Sequence, residues 1–236
     1  MNKSEKILQN VKRDYNSIAE HFSKTRVASG SSFQLFLEYI RSGQKILDLG
    51  CGNGRLFNFF NQRNLAIDYY GLDNSSGLIE ICKEKYPQIA DRFIIGDILS
   101  LPYEDNFFNS IMSIAAFHHL PTRELRIRAL KEMYRVLKPG GTLLMTNWHL
   151  WHQPYFKYWF NQFWQKISWK DFFVPWKGPD GQIKCHRYYH AFTKRELGSL
   201  LAKAGFKTEK IFADIKRDVP NYGRRVNLVS IAKKPA

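Results

Sequence analysis

The sequence predicts an α/β fold, a doubly wound and mostly parallel sheet of seven strands with an antiparallel strand at its C-terminal end. Three observations predict it. Short strand-like runs alternate with helical segments through residues 45–146, the pattern of a parallel sheet with helices on both faces. The first run, Lys45-Ile46-Leu47-Asp48-Leu49, passes directly into a glycine-rich turn and a helix. Two runs near the end, 206–213 and 226–232, fit a final antiparallel pair.

In chain order, residues 4–22 carry Ile7, Leu8, Val11, Tyr15, Ile18, Ala19 and Phe22 at steps of three and four, one face of an amphipathic helix. A second helix is predicted at 33–40, so residues 4–41 form a helical cap before the sheet. Strands are predicted at 45–49, 67–72, 92–95, 108–114 and 142–146. Helices at 55–61, 77–85 and 122–137 lie between them, the last closed by the stop signal Lys138-Pro139-Gly140-Gly141. A helix at 193–203 precedes the final pair. The whole chain, 1–236, reads as one domain. Residues 148–190 form an insertion that holds all six tryptophans and exceeds an ordinary connection in length. Most of these rings are expected to pack as a small aromatic core, while rings near basic residues also suit stacking on nucleobases.

Composition narrows the class. Charged residues make up 24% and hydrophobic ones 44%, an ordinary soluble balance. No apolar stretch is long enough for a membrane span, and the charged N-terminal segment has no secretory core, so a cytoplasmic protein is expected. Cys51, Cys82 and Cys185 stand far apart, without disulfide or metal-ligand spacing. The net charge is +15 and lies unevenly: 19 lysines and arginines face 15 acids up to residue 145, against 17 and 6 thereafter. An acidic partner for the C-terminal part follows, nucleic acid first, with a merely solvated basic surface as the alternative.

The turn after the first strand reads Asp48-Leu49-Gly50-Cys51-Gly52-Asn53-Gly54. It has neither the glycine spacing of a dinucleotide fold nor the lysine of a phosphate loop. It suits a ligand bearing an ammonium group, with Asp48 to orient it. Asp73 and Asp97 end the next two strand segments, at spacings of 25 and 24 residues. A carboxylate after the second strand can accept from ribose hydroxyls, and one after the third from an adenine amine. Singly each could be a helix cap; together they outline a pocket for an adenosine without phosphates.

These residues resemble the class I S-adenosylmethionine-dependent methyltransferases. Residues 46–54 (ILDLGCGNG), 69–73 (YYGLD), 96–102 (GDILSLP) and 135–141 (RVLKPGG) match that superfamily's motifs in order. Three further segments are similar to the tRNA wobble-uridine carboxymethyl methyltransferases: residues 15–26, the run Ser113–Leu120 with its paired histidines, and residues 187–192 with Arg195-Glu196-Leu197. The chain departs from that family after the fifth strand, where Thr146-Asn147-Trp148-His149 keeps the family's tryptophan and little else.

The resemblance implies a Rossmann-like fold, S-adenosylmethionine as cofactor, tRNA as partner, and O-methylation of a carboxylate on a modified wobble uridine. Eukaryotic members work with a small zinc-binding activator protein. Asp48 with Gly50, Gly52 and Gly54 would seat the methionine part. Asp73 and Asn74 would hold the ribose, Asp97 and Ile98 the adenine, and Ala115 would complete the wall. Tyr15 and Arg26 would cap the cofactor. His118, His119, Arg187 and Tyr189 would position the acceptor without a general base. Trp148, Tyr188, His190, Arg224 and Arg225 would contact substrate, the last two extending a phosphate-binding strip with Lys216 and Arg217. If 187–190 is a strand, Arg187 and Tyr189 point one way and Tyr188 and His190 the other. A small-molecule O- or C-methyltransferase acting on a quinone precursor or carboxylic acid is the alternative function, and a silent RNA-binding subunit a further one.

Overall fold

A computed structural model of the chain describes residues 1–26, 31–151, 155–219 and 223–236. Among these residues the strands are β1 (Lys45–Leu49), β2 (Asp68–Asp73), β3 (Phe93–Ile95), β4 (Phe108–Ile114), β5 (Leu137–Trp148), β6 (Asp171–Lys177), β7 (Ile183–His190), β8 (Lys207–Val219) and β9 (Gly223–Lys233). Seven of them make one sheet in the order β3-β2-β1-β4-β5-β9-β8, and β6 and β7 make a separate antiparallel hairpin. Pairings among β1 to β5 are parallel, whereas β9 runs antiparallel to both β5 and β8. The order reverses between β1 and β4, and in such sheets ligands bind beyond the carboxyl ends of the strands at that point.

The helices are α1 (Lys3–Ser17), α2 (Ala19–Thr25), α3 (Ser31–Phe36), α4 (Arg55–Asn61), α5 (Ser76–Lys85), α6 (Arg123–Val136) and α7 (Lys194–Lys203). The single helix expected over 4–22 is two. Ile18 leaves helical geometry (φ −110°, ψ 6°), and the Ser17 hydroxyl donates to the Asp14 carbonyl at 2.8 Å. That short polar side chain competes for the backbone and ends the helix where apolar periodicity alone would continue it. The bend turns α2 back toward the glycine loop. The core lies on both faces of the sheet. Leu47, Ile111, Leu143 and Leu228 pack with α6 and α7, while Ile46, Met112, Leu144 and Val229 pack with α3, α4 and α5. Successive residues of one strand thus serve opposite faces, as the alternating pleat requires. Among the described residues, no helix is long and apolar enough to cross a membrane.

The β6–β7 hairpin is held by one buried acid. Asp171 is fully buried and accepts from the Ile167 amide at 2.9 Å, the Ser168 amide at 2.8 Å, the Tyr188 hydroxyl at 2.8 Å and His190 Nδ1 at 3.2 Å. His190 Nε2 meets Glu196 on α7 at 2.9 Å, and Lys170 donates to Glu196 at 2.7 Å. Burial pushes the Glu196 carboxyl up, but these two partners hold it down to about 2. Arg126 on α6 joins Glu196 at 3.5 Å and donates to the Leu120 and Pro121 carbonyls. The hairpin is thereby tied to α6, α7 and the turn after β4. Asp171→Ala would leave Tyr188, His190 and two amides without their shared acceptor, and should lower the unfolding free energy by about 3 kcal/mol or more. Chemical denaturation of the variant against wild type measures this.

Candidate functional site

A cavity of about 890 Å³ opens at the carboxyl ends of β1, β2, β3 and β4. Its floor is the glycine loop. Gly50 has φ +79°, and a Cβ there would lie 2.4 Å from the Ala116 Cβ, so only glycine lets the β1 and β4 ends approach this closely. The loop amides are already engaged. Gly50 and Cys51 donate to the Leu72 carbonyl at 2.7 and 3.1 Å, Gly52 to Asp73 Oδ2 at 2.9 Å, and Gly54 to the Cys51 carbonyl at 3.1 Å. A loop whose amides face its own acceptors offers no nest for a phosphate.

Gly50 and Gly52 line the cavity, as do Asp48, Asp73, Asn74, Asp97, Ile98 and Ala115. Gly54 does not. Its φ of +74° opens α4, and a Cβ there would meet the Tyr86 ring at 2.6 Å, so this glycine serves packing behind the loop rather than the ligand side.

Three carboxylates give this end of the cavity an acidic character. Asp48 is buried and accepts from the Tyr69 hydroxyl at 2.6 Å. Burial, reinforced by the neighbouring Asp73, raises the Asp48 carboxyl to about 7 despite that hydrogen bond. Burial raises Asp73 too, while the Ser75 and Gly52 amides pull against it. Asp97 accepts from the Leu99 amide at 2.9 Å, which fixes the turn after β3. Carboxylates held this way are poor neighbours for phosphate and good ones for a cation and for hydroxyl donors.

The N-terminal helices roof the cavity. Tyr15 and Arg26 line it, Arg26 lying 5.6 Å from the Phe22 ring centre and 5.3 Å from that of Trp176. Two residues with no role in the sequence motifs fasten this roof. Asn53 in the glycine loop is buried and donates to the Ser23 and Arg26 carbonyls at 3.3 and 3.1 Å. Asn16 on α1 accepts from the Ser75 hydroxyl at 2.8 Å and the Gly77 amide at 3.2 Å, at the start of α5. Their only signal in the sequence is the polar amide itself, at a loop centre and near a helix end. Arg55, on the first turn of α4, also lines the cavity, and burial lowers it to about 10.

The opposite wall carries the residues expected at the acceptor. Trp148, His118, His119, Arg187 and Tyr189 all line the cavity. His119 Nδ1 lies 2.6 Å from the Tyr188 carbonyl, which can only accept, so the proton sits on Nδ1 and Nε2 is an acceptor. The Tyr15 hydroxyl therefore donates to Nε2, at 3.0 Å, and itself accepts from Arg187 at 3.5 Å. Burial drives His119 down to about 3, with Arg187 adding to the shift against the Tyr188 carbonyl. His118 is pushed well down by burial as well, and its Nδ1 accepts from the Trp148 amide at 3.1 Å. Neither ring is a proton carrier near neutral pH.

Arg187 is buried and forms no ion pair among the described residues. The rings of Trp176, Tyr189, Trp148 and Tyr15 surround its guanidinium at 4.7 to 5.9 Å, and Nε has no hydrogen-bond partner. The Tyr189 hydroxyl is likewise without one. Alternation along β7 works as the sequence implied. Tyr188 and His190 face the other way, into the Asp171 network, and are structural rather than substrate-facing. The side chains of Arg224 and Arg225, with those of Lys216 and Arg217, lie outside the described residues.

A family model described as a methyltransferase domain matches residues 47–145. A tRNA (carboxymethyluridine(34)-5-O)-methyltransferase of Schizosaccharomyces pombe is 31% identical over 83% of this chain and 87% of its own. The chain belongs to this family of S-adenosylmethionine-dependent methyltransferases. The relative of the same name from Arabidopsis thaliana is 41% identical over 58% of this chain, which spans 32% of that longer protein. Among solved structures, a Methanosarcina mazei S-adenosylmethionine-dependent methyltransferase shares the fold with a TM-score of 0.70 at 23% identity, covering 85% of this chain and 97% of its own. A Haloferax volcanii methyltransferase solved with its Trm112 activator does so with 0.65 at 18% identity, covering 96% and 98%.

S-adenosylmethionine is the methyl donor of this class, and the cavity's chemistry fits it. Four of the loop's amides are bound to its own acceptors, and the three carboxylates would suit the ammonium and ribose hydroxyls that such a donor brings. For a methyltransferase site of this kind, the ionisation of Asp48 near pH 7 has a readable consequence. A cationic ligand is favoured by the ionised form, so affinity rises with pH until Asp48 has lost its proton. The dissociation constant of S-adenosylhomocysteine should be about tenfold weaker at pH 6 than at pH 8, and Asp48→Asn should bind weakly and without that slope. Titration calorimetry across the range checks both.

Proposed function

We propose that the protein methylates the carboxylate of a 5-carboxymethyl group on the wobble uridine of tRNA. The observation that carries this reading is Arg187, a buried guanidinium on the cavity wall with no carboxylate at ion-pair distance among the described residues. A buried charge without a close counter-ion is costly, and an incoming carboxylate is the group that matches it. The Tyr189 hydroxyl beside it adds a donor. A quinone precursor would leave Arg187 unmatched. A free carboxylic acid would satisfy it, but the basic excess of residues 146–236 and the tRNA enzymes among the relatives favour a nucleic acid. A small zinc-binding activator is a further partner in this reading, in line with the archaeal neighbour solved with its activator.

When bound, S-adenosylmethionine supplies an electrophilic methyl on a positively charged sulfur. Asp48 and the Gly50–Gly52 backbone would hold its ammonium end, Asp73 with Asn74 the ribose, and Asp97 with Ile98 the adenine, with Ala115 completing the wall. Tyr15 and Arg26 would close over the methionine part, with Arg26 on the side of its carboxylate. The acceptor carboxylate is already ionised at neutral pH, so the chain has to align it and keep water out rather than deprotonate it. Arg187 and Tyr189 hold one carboxylate oxygen and leave the other to form the new oxygen–carbon bond as the carbon–sulfur bond breaks. No proton is taken up or released, which agrees with two histidines kept neutral by burial. Trp148, stacked on Tyr189 at 4.9 Å and 13° and on Tyr155 at 5.1 Å, would bound the acceptor pocket as part of its wall.

Arg187→Met should reduce kcat/KM for a 5-carboxymethyluridine-containing tRNA by about 100-fold or more while changing S-adenosylhomocysteine affinity by less than about threefold. Because Arg187 forms no ion pair among the described residues and Met keeps much of its packing against the surrounding rings, the variant should melt within a few degrees of wild type. Labelled-cofactor assays, nucleoside mass spectrometry and thermal melts read these outcomes. A variant that melts far lower, or a wild type that methylates no tRNA, would argue against the reading. At saturating cofactor, kcat should be flat from pH 6 to 8, since burial keeps His118 and His119 neutral there and Asp48 acts on cofactor binding.

A further inference from the structure

The segment between β5 and β6 exposes an aromatic face that the methyl-transfer site does not use. Phe160, Phe163, Trp164 and Trp169 are 62–73% exposed, with Phe156 and Ile167 beside them. Soluble surfaces seldom gather so much apolar area without a partner. These rings do not belong to a loose loop. Trp159 Nε1 donates to the Trp169 carbonyl at 2.7 Å, Asn161 to the Phe173 carbonyl at 3.3 Å, and Lys3 on α1 to the Trp164 carbonyl at 3.2 Å. Phe156 lies parallel to Trp159, at 3° and 6.3 Å between centres. The scaffold is anchored and the rings are presented outward.

Charge identifies the occupant. Residues 149–179 contain Lys157, Lys166, Lys170 and Lys177, and a single acid, Asp171, which is fully buried. Lys166 is itself buried beneath the rings, 4.6 Å from the centre of Trp159 and 5.7 Å from that of Phe163, and its Nζ has no hydrogen-bond partner. Outward-facing rings on a segment with four lysines and one buried acid call for a polyanion that also has flat faces to stack. The surface is continuous with the acceptor wall: Tyr155 stacks on Trp148 at 5.1 Å and lines the cavity, and Tyr158, Trp159 and Trp151 pack in the same cluster as Tyr189.

We propose that this face is a stacking platform for unpaired RNA bases flanking the nucleotide whose carboxylate enters the cavity. The proposal rests on the tRNA reading above and adds to it the surface that recognises single-stranded loop rather than duplex. Aromatic faces tolerate any base, so the platform supplies affinity for an unstacked loop while the cavity selects the modified one.

The test uses the full-length protein with three probes: a short RNA hairpin whose loop carries one 5-carboxymethyluridine, the free 5-carboxymethyluridine nucleoside, and phosphatidylserine-containing vesicles. The double variant Phe160→Ala with Trp164→Ala should raise KM for the hairpin at least about tenfold, and leave turnover of the free nucleoside and affinity for S-adenosylhomocysteine within about twofold. Wild type should not sediment with the vesicles. A double variant that methylates the hairpin as wild type does would overturn the platform and leave the tRNA reading standing. A wild type that methylates the nucleoside or another carboxylic acid but never the hairpin would overturn both. Vesicle binding by wild type that the double variant loses, with hairpin KM unchanged, would assign the face to a lipid surface instead.

Discussion

The buried carboxylate of Asp171 is the constraint on which the acceptor side depends. It fixes two amides ahead of β6 and two side chains of β7, and so sets which face of β7 looks into the cavity. A strand shifted by one residue exchanges its faces. With Tyr188 and His190 committed to Asp171, Arg187 and Tyr189 have only the cavity left to face. The network reaches α6 and α7 through Glu196 and Arg126, which makes the hairpin part of the sheet's framework.

The cavity has two electrostatic halves with different tasks. At the glycine loop, carboxylates and self-satisfied amides reject phosphate and favour a cation. Across from it, a guanidinium with no carboxylate at ion-pair distance favours an anion. Under the proposed reaction, a cationic donor and an anionic acceptor would be drawn to opposite walls of one space, the arrangement an in-line displacement between them needs. The neutral histidines fit the same division, because a proton carrier at this point would have nothing to carry.

Much of this was legible in the sequence because it depends on local rules. Strand periodicity locates all seven strands of the main sheet, and the glycine spacing of residues 50–54 by itself sets the loop apart from a phosphate loop. The period of two separated Arg187 and Tyr189 from Tyr188 and His190. What escaped depends on partners distant in the chain. Apolar periodicity ran through Ile18, where a serine hydroxyl ends the helix. Gly54 belonged to the motif by position but faces Tyr86, 32 residues on. The Tyr69–Asp48 bond joins neighbouring strands, and Asn16 and Asn53 join the roof to the floor; no pattern along the chain encodes such pairs. The β6–β7 hairpin hid within an insertion whose composition announced rings but not strands.

The run from Arg187 through Tyr15 and His119 to the Tyr188 carbonyl has a fixed sense: each member gives its hydrogen to the next, and the last can give none. The phenol oxygen of Tyr15 therefore has no hydrogen left to offer a guest, only electron density. A molecule settling beneath it has to turn an N–H or O–H upward, and any bare oxygen is steered aside toward the guanidinium. Orientation of the guest is in this way written into the polarity of the wall before any chemistry begins.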